Sequence, residues 1–98
     1  MSEIRGYVYI LASKPYGTLY VGVTRELTKR VWQHKEHIVR GFTKQHDVTL
    51  LVWFECHGSI EEAITREKQI KEWRRDSKIN LIQAMNPEWR DLYNDLST

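Results

Sequence analysis

Apolar residues recur along this chain with two periods, and the change from one to the other lays out the elements. Between Gly6 and Ala12, Tyr7, Tyr9 and Leu11 alternate with Val8, Ile10 and Ala12, and a second run sets Leu19, Val21 and Val23 against Tyr20 and Gly22. Alternation of this kind predicts strands with two different faces. The Ser13-Lys14-Pro15-Tyr16-Gly17 cluster between them predicts an antiparallel hairpin. Each strand then carries an aliphatic face and a tyrosine-bearing face. From Thr24, a candidate cap, a helix is predicted through Glu26, with Leu27, Val31, His34 and Ile38 at three-to-four spacing and an end before Gly41. Residues 48 to 56, β-branched and aromatic between a polar loop and His57-Gly58, read as a third strand.

Ser59 followed by Glu62 is a capping-box pattern that opens a second helix with apolar residues Ile60, Ala63, Ile64 and Ile70. A third helix is predicted over Ile79 to Met85, and Asn86-Pro87 reads as the cap of a last short helix. The order is ββα, then β, then helices.

Composition narrows the class. Ninety-eight residues suit one domain with one core, placed at about 5–86 with a helical tail over 87–98. The apolar share of 41% and charged share of 29% are those of an ordinary globular chain. A lone Cys56 allows no internal disulfide and no multi-cysteine metal site within one chain. The start, Met1-Ser2-Glu3-Ile4-Arg5, has no apolar run of a signal peptide, and no stretch is long enough to cross a bilayer. A cytoplasmic, membrane-free protein is the expectation.

The net charge of +2 is a weak pointer to polyanions, and its distribution says more. Residues 66 to 78 hold six bases, Arg66, Lys68, Lys71, Arg74, Arg75 and Lys78, against the acids Glu67, Glu72 and Asp76. Lys68, Lys71, Arg74, Arg75 and Lys78 form the candidate nucleic-acid-binding surface.

Three features do not fit a purely structural chain. Glu67 lies at helical spacing from Ala63, Ile64 and Ile70, which sets a carboxylate on an apolar stripe. Burying that charge requires a partner, either an ion-pairing base or a metal. Arg30 and His34, four apart, share one side of the first helix, where they can face a common ligand or simply solvent. Tyr9 and Tyr20 can meet across the hairpin, as packing or as a phenol pair. Other familiar chemistries find little support: there is no glycine-rich phosphate loop, nucleophile elbow or metalloprotease histidine pair. His34 and His37 lack the further ligands a zinc site needs.

Taken in order, Tyr7-Val8-Tyr9, Leu19-Tyr20-Val21-Gly22, Arg30, His34 and Glu67 resemble the GIY-YIG nuclease superfamily over nearly the whole chain. The first signature departs at its glycine and isoleucine, and the second carries one conservative change. The stretch Arg66-Glu67-Lys68-Gln69-Ile70-Lys71-Glu72-Trp73 is similar to that of short stand-alone bacterial members. The resemblance implies an α+β fold, a three-stranded antiparallel sheet flanked by helices. It also implies a divalent cation, Mg²⁺ or Mn²⁺, held by Glu67, and hydrolysis of phosphodiester bonds in nucleic acid, with DNA favoured over RNA. Tyr9, Tyr20, Arg30, His34 and Glu67 fall on the family's active-site positions. Its asparagine is matched by Asn80, which fits the spacing, or by Asn86, which also reads as a helix cap.

The chemistry of a phosphodiester agrees with that set: cationic charge on its oxygens, a grip on the phosphate from Arg30, and Tyr20 or His34 to take a proton from water, with Tyr9 positioning. The rival reading is a nucleic-acid-binding module with weak or lost catalysis. No separate recognition domain fits in this length, so the expectation is that specificity comes from a recruiting protein partner, a dimer or substrate shape, the protein being a monomer or homodimer.

Overall fold

The computed structural model describes residues 5–97; Met1 to Ile4, on which the expectation of a leaderless start rests, and Thr98 lie outside them. Three strands, β1 (Gly6–Ala12), β2 (Leu19–Thr24) and β3 (Leu50–His57), form one antiparallel sheet in the order β2-β1-β3. Helices α1 (Leu27–Lys35) and α2 (Phe42–His46) lie between β2 and β3 in sequence, and α3 (Ile60–Glu72), α4 (Arg75–Met85) and a 3-10 helix (Leu92–Ser97) follow. The fold is the expected α+β arrangement of a three-stranded sheet flanked by helices. No helix among the described residues is long and apolar enough to cross a membrane.

Both faces of the sheet are covered, which is why β1 is buried along almost its entire length. Val8, Ile10 and Ala12 pack with Val21, Val52, Trp53, Ala63, Ile70 and Ile82 on the side of α3 and α4. Tyr9 and Leu11 pack with Leu27, Val31 and Leu51 on the side of α1. The third strand does not alternate as a plain strand would. A bulge between Ile10 and Leu11 pairs Ile10 with Trp53 and Leu11 with Leu51, leaving Val52 as the extra residue. Val52 and Trp53 therefore both face α3 and α4.

Two glycines permit close approach. A Cβ on Gly6 would lie 2.7 Å from the Ala63 Cβ and 2.9 Å from the Ile60 Cα, so the bare backbone lets α3 sit directly on β1. Gly22, the register partner of Tyr9, would place a Cβ 2.5 Å from both Cζ and the hydroxyl of that tyrosine. The Tyr9 ring thus lies across β2 where a side chain is missing.

Several boundaries differ from those read in the sequence. Helix α1 stops at Lys35, three residues short of Ile38, because His37 turns left-handed (φ 58°). The His37 N–H then donates to the His34 carbonyl and the Ile38 N–H to the Gln33 carbonyl, the paired bonds of a Schellman end. Ile38 is left exposed. Thr24 accepts from the Glu26 N–H and turns the chain before α1, whereas the cap position itself is Glu26, with no side-chain bond. The segment before β3 is not simply a polar loop, since it contains α2 and buries Thr43 and Val48. Ser59 does accept from the Glu62 N–H. The stripe that α3 buries is Ala63, Glu67 and Ile70, with Ile64 exposed.

Helix α4 begins a turn earlier than Ile79. Asn86 does not cap a new helix at its N-terminus: it ends α4, donates to the Val52 and Arg90 carbonyls and accepts from the Arg90 N–H. Trp89 and Leu92 beyond it each join one of the two cores. Asp91 accepts from the Leu51 and Tyr93 N–H groups and pairs with Lys35, tying the tail to β3 and α1.

The Gly22 gap yields the first prediction. Gly22→Ala alone should cost about 1–3 kcal/mol through overpacking, and Tyr9→Ala should be destabilising through its lost packing. In the double variant the clash is gone, so the combined loss should be smaller than additive by denaturant unfolding. Strict additivity would show that Tyr9 does not occupy the gap.

Candidate active site

The tyrosine-bearing face of the hairpin and the buried side of α1 meet at a cluster of rings. Strand register places Tyr9, Gly22 and Tyr20 on the same face, and helical spacing turns His34 down onto it. Tyr9 is 2% and His34 1% exposed, while Tyr20 is half-buried at the rim. The Tyr9 hydroxyl lies 3.0 Å from His34 Nε2, and His34 Nδ1 lies 2.8 Å from the Thr43 hydroxyl. The Tyr20 ring centre is 6.4 Å from that of Tyr9 and 5.5 Å from that of His34. On its other side Phe42 stacks against Tyr20 at 6.5 Å.

Electrostatics bring in the two charged members. Burial, and then the Arg30 guanidinium, push the His34 imidazole down to about 4, so it is neutral near pH 7. Burial holds the Tyr9 phenol well above its ordinary value; Tyr20 and Glu67 add to the rise and Arg30 opposes it. Arg30 is half-buried beside a small pocket of about 170 Å³ shared with Thr24, Glu26, Lys29 and Gln33. No side-chain hydrogen bond or ion pair among the described residues occupies its guanidinium, which leaves the fork available to an anion. Glu67 approaches from the other face. Its helix packs along β1 and β2, and its carboxylate, in a residue only 8% exposed, still acts on Tyr9 while pairing with Lys71 at 2.7 Å. The ring cluster therefore sits on one face of the sheet, and Glu67 belongs to the helix packed on the other, its charge reaching Tyr9.

A wider groove of about 830 Å³ opens on the opposite flank of α1, between Tyr7, Trp32, Phe54 and Tyr93. None of the clustered residues lines it, so this groove and the richest chemistry do not coincide.

The model of the GIY-YIG catalytic domain matches residues 5–80. This chain belongs to the GIY-YIG family. A UPF0213 protein of Staphylococcus saprophyticus is 34% identical to it over 76 residues, 78% of this chain and 92% of that protein. One of Clostridium perfringens is 37% identical over 78 residues, 80% of this chain and 83% of that protein. The solution NMR structure of a UPF0213 protein from Bacillus halodurans is similar with a TM-score of 0.57 at 29% identity, covering 96% of this chain and 98% of that one.

In this GIY-YIG domain, five of the sequence candidates, Tyr9, Tyr20, Arg30, His34 and Glu67, are linked by ring contact, hydrogen bond or charge. Asn80 is exposed on α4 and makes no side-chain hydrogen bond to the cluster among the described residues. Asn86 is engaged in bracing the tail against β3. The basic candidates divide. Arg75 donates to the Tyr16 and Gly17 carbonyls and pins the β1–β2 turn, Lys71 pairs with Glu67, and Lys78 donates to the Lys71 carbonyl. Lys68 and Arg74 point to solvent, Arg74 only 3.9 Å from Asp76. Thr43 and Phe42 join the rings without having been marked by any sequence pattern. Their segment carries no periodic signal, and only the folded chain brings α2 over the hairpin.

The neutral, buried imidazole makes stability depend on acid. Between about pH 6.5 and 4 the unfolded chain binds the His34 proton and the folded one resists it, so stability should fall on acidification through that window, by at most about 3 kcal/mol. Thermal melts from pH 7 to 4 should show a steeper loss for the wild type than for His34→Gln. Parallel curves would mean that His34 is not held neutral.

Proposed function

We propose that this GIY-YIG domain is a metal-dependent endonuclease that hydrolyses phosphodiester bonds in nucleic acid, DNA rather than RNA. The observation that carries the reading is the Tyr9–His34 pair and Tyr20 beside Arg30, which has no side-chain partner among the described residues, with the charge of the largely buried Glu67 carboxylate acting on Tyr9. A packing role for the rings alone leaves the Arg30 guanidinium, which has no side-chain partner among the described residues, without purpose.

Each residue has a distinct task in this reading. Arg30 grips the non-bridging oxygens of the phosphate as charge builds on them. Tyr20, half-buried at the rim, is the phenol able to touch the attacking water. His34 is too enclosed for that: hydroxyls already meet both of its nitrogens, so it acts through Tyr9. Asn80 is retained as the family's asparagine, since Asn86 has a structural task.

Glu67 is the candidate ligand for Mg²⁺ or Mn²⁺. The donor set fits such a cation: no group of three His, Cys, Asp or Glu exists among the described residues to build a zinc-type cage, whereas a hard cation that keeps its waters needs few protein ligands. The half-exposed Lys71 ammonium already shows that positive charge is accommodated at this carboxylate. When bound, the cation supplies Lewis-acid charge to the phosphoryl oxygens. The same ion pair is also what favours the rival, a binding module in which Lys71 alone neutralises Glu67.

Replacing Glu67 by Gln separates them. Cleavage of labelled DNA in Mg²⁺ or Mn²⁺ should drop by orders of magnitude, with nucleic-acid binding and melting temperature nearly kept. Unchanged cleavage in a destabilised variant would assign Glu67 to the ion pair. For the binding surface, Lys68→Glu with Arg74→Glu should weaken binding and flatten its salt dependence, by a slope of roughly 0.9 per lost phosphate contact. Affinity and slope equal to wild type would remove that surface from the reading. We further place the protein in the cytoplasm, acting as monomer or homodimer and directed by a recruiting partner.

A further inference from the structure

The groove of about 830 Å³ beside α1 takes no part in the chemistry above, yet its walls are built from aromatic rings and cations. Its volume lies within the roughly 300–1,000 Å³ of pockets that hold small organic groups. Tyr7 comes from β1, Phe54 from β3, Trp32 from α1 and Tyr93 from the 3-10 helix, so the fold collects onto one concave surface rings that are far apart in sequence. Trp32 is 46% exposed and, like Tyr7 and Phe54, makes no ring contact among the described residues. Tyr93 has a partner, the Lys35 ammonium 5.2 Å from its ring centre. An indole face held open to water gains by being covered.

Charge says what covers it. Arg25 and Lys29 line the groove, both exposed, and neither side chain has a hydrogen bond or ion pair among the described residues. Lys29 and Glu26 also line the small Arg30 pocket, so the two hollows meet at the start of α1. Among the described residues lining them, Glu26 is the one acid, against Arg25, Lys29 and Arg30. Free cations beside free ring faces suit a nucleic-acid strand, with backbone phosphates on the cations and bases on the rings. In a duplex each base face is covered by its stacked neighbours, and only base edges reach the grooves. Rings that offer their faces therefore select an unpaired base. We propose that this groove binds an unpaired base of the strand whose phosphate Arg30 holds, the base stacking on Trp32 and the backbone between them running over Lys29 and Arg25. The proposal rests on the nuclease reading for what happens at Arg30, and it names the substrate class of that site, a strand that is single beside the cut. Stacking accepts every base, so the selection is for an open strand and not for a sequence.

The test follows the Trp32 indole N–H in ¹⁵N NMR of the full chain, assigned by its loss in Trp32→Phe, without metal so that nothing is cut. A short single-stranded DNA of mixed sequence should shift that signal and the Lys29 amide, whereas the same strand annealed to its complement should leave the indole in place. Trp32→Ala should raise the Kd for the single strand about fivefold to a hundredfold, the range for one lost base stack. Arg25→Ala with Lys29→Ala should lower the salt slope of that binding by roughly 0.7 for each phosphate contact removed. In Mg²⁺, cleavage of the single strand by Trp32→Ala should show a raised KM at nearly unchanged kcat, since the stack is made equally in the ground and transition states. An indole unmoved at saturation with the single strand overturns the proposal, as does an equal shift with the duplex, whether or not the variants fold. An indole that shifts on raising protein concentration alone assigns the groove to a second copy of the chain and overturns it too. Cleavage with an unmoved indole leaves the nuclease reading standing without the groove. An indole that moves with the single strand while no protein cleaves, wild type included, removes the nuclease reading and leaves the base site.

Discussion

Tyr9 can cross its neighbouring strand only because Gly22 has no side chain, and that crossing is the constraint on which the site depends. The ring is buried on the central strand, yet its hydroxyl is carried outward over β2 to His34. Any side chain at Gly22 would compete for the same volume, and a tightly packed interior has little room to yield. The bond between Tyr9 and His34 then fixes the roll of α1, since Leu27 and Val31 must enter the core while His34 meets the phenol. With that roll set, Arg30, four residues earlier, is delivered to the same flank.

A second close approach completes the arrangement from behind. Gly6 lets α3 rest on β1 with backbone against backbone, and the stripe Ala63, Glu67 and Ile70 faces inward as a result. A carboxylate on that stripe is costly without positive charge nearby. Lys71, one helical turn on, supplies it through a flexible, half-exposed side chain. The pairing thus serves stability and leaves the function open. The acidity of the rings follows from the same enclosure: desolvation keeps His34 neutral and Tyr9 protonated.

The tail illustrates how a small domain completes its core. Ninety-eight residues give little interior, and Trp89 and Leu92 are drawn into opposite faces of the sheet to close it. Asn86 closes the backbone on Arg90 by donating and accepting, and Asp91 accepts from the Leu51 and Tyr93 N–H groups.

Local chemistry in the sequence was enough for the hairpin, the Ser59 cap and the order of elements apart from α2, and motif spacing singled out Tyr9, Tyr20, Arg30, His34 and Glu67 as candidates. Those features depend on alternation, capping and motif spacing, which act over a few residues or recur within a family. Where the chain had to choose between equally good local states, the sequence was silent or misleading. The stop of α1 before Ile38 turns on one left-handed residue, the bulge at Val52 reassigns the faces of β3, and Asn86 ends a helix instead of starting one because Val52 and Arg90 lie within its reach. The roles of Thr43, Gly22 and Arg75 belong wholly to tertiary structure. Each is defined by a partner at least nine residues away in the chain, at His34, Tyr9 and the Tyr16–Gly17 turn, and no local pattern encodes a hydrogen bond whose other half is brought in only when the core closes.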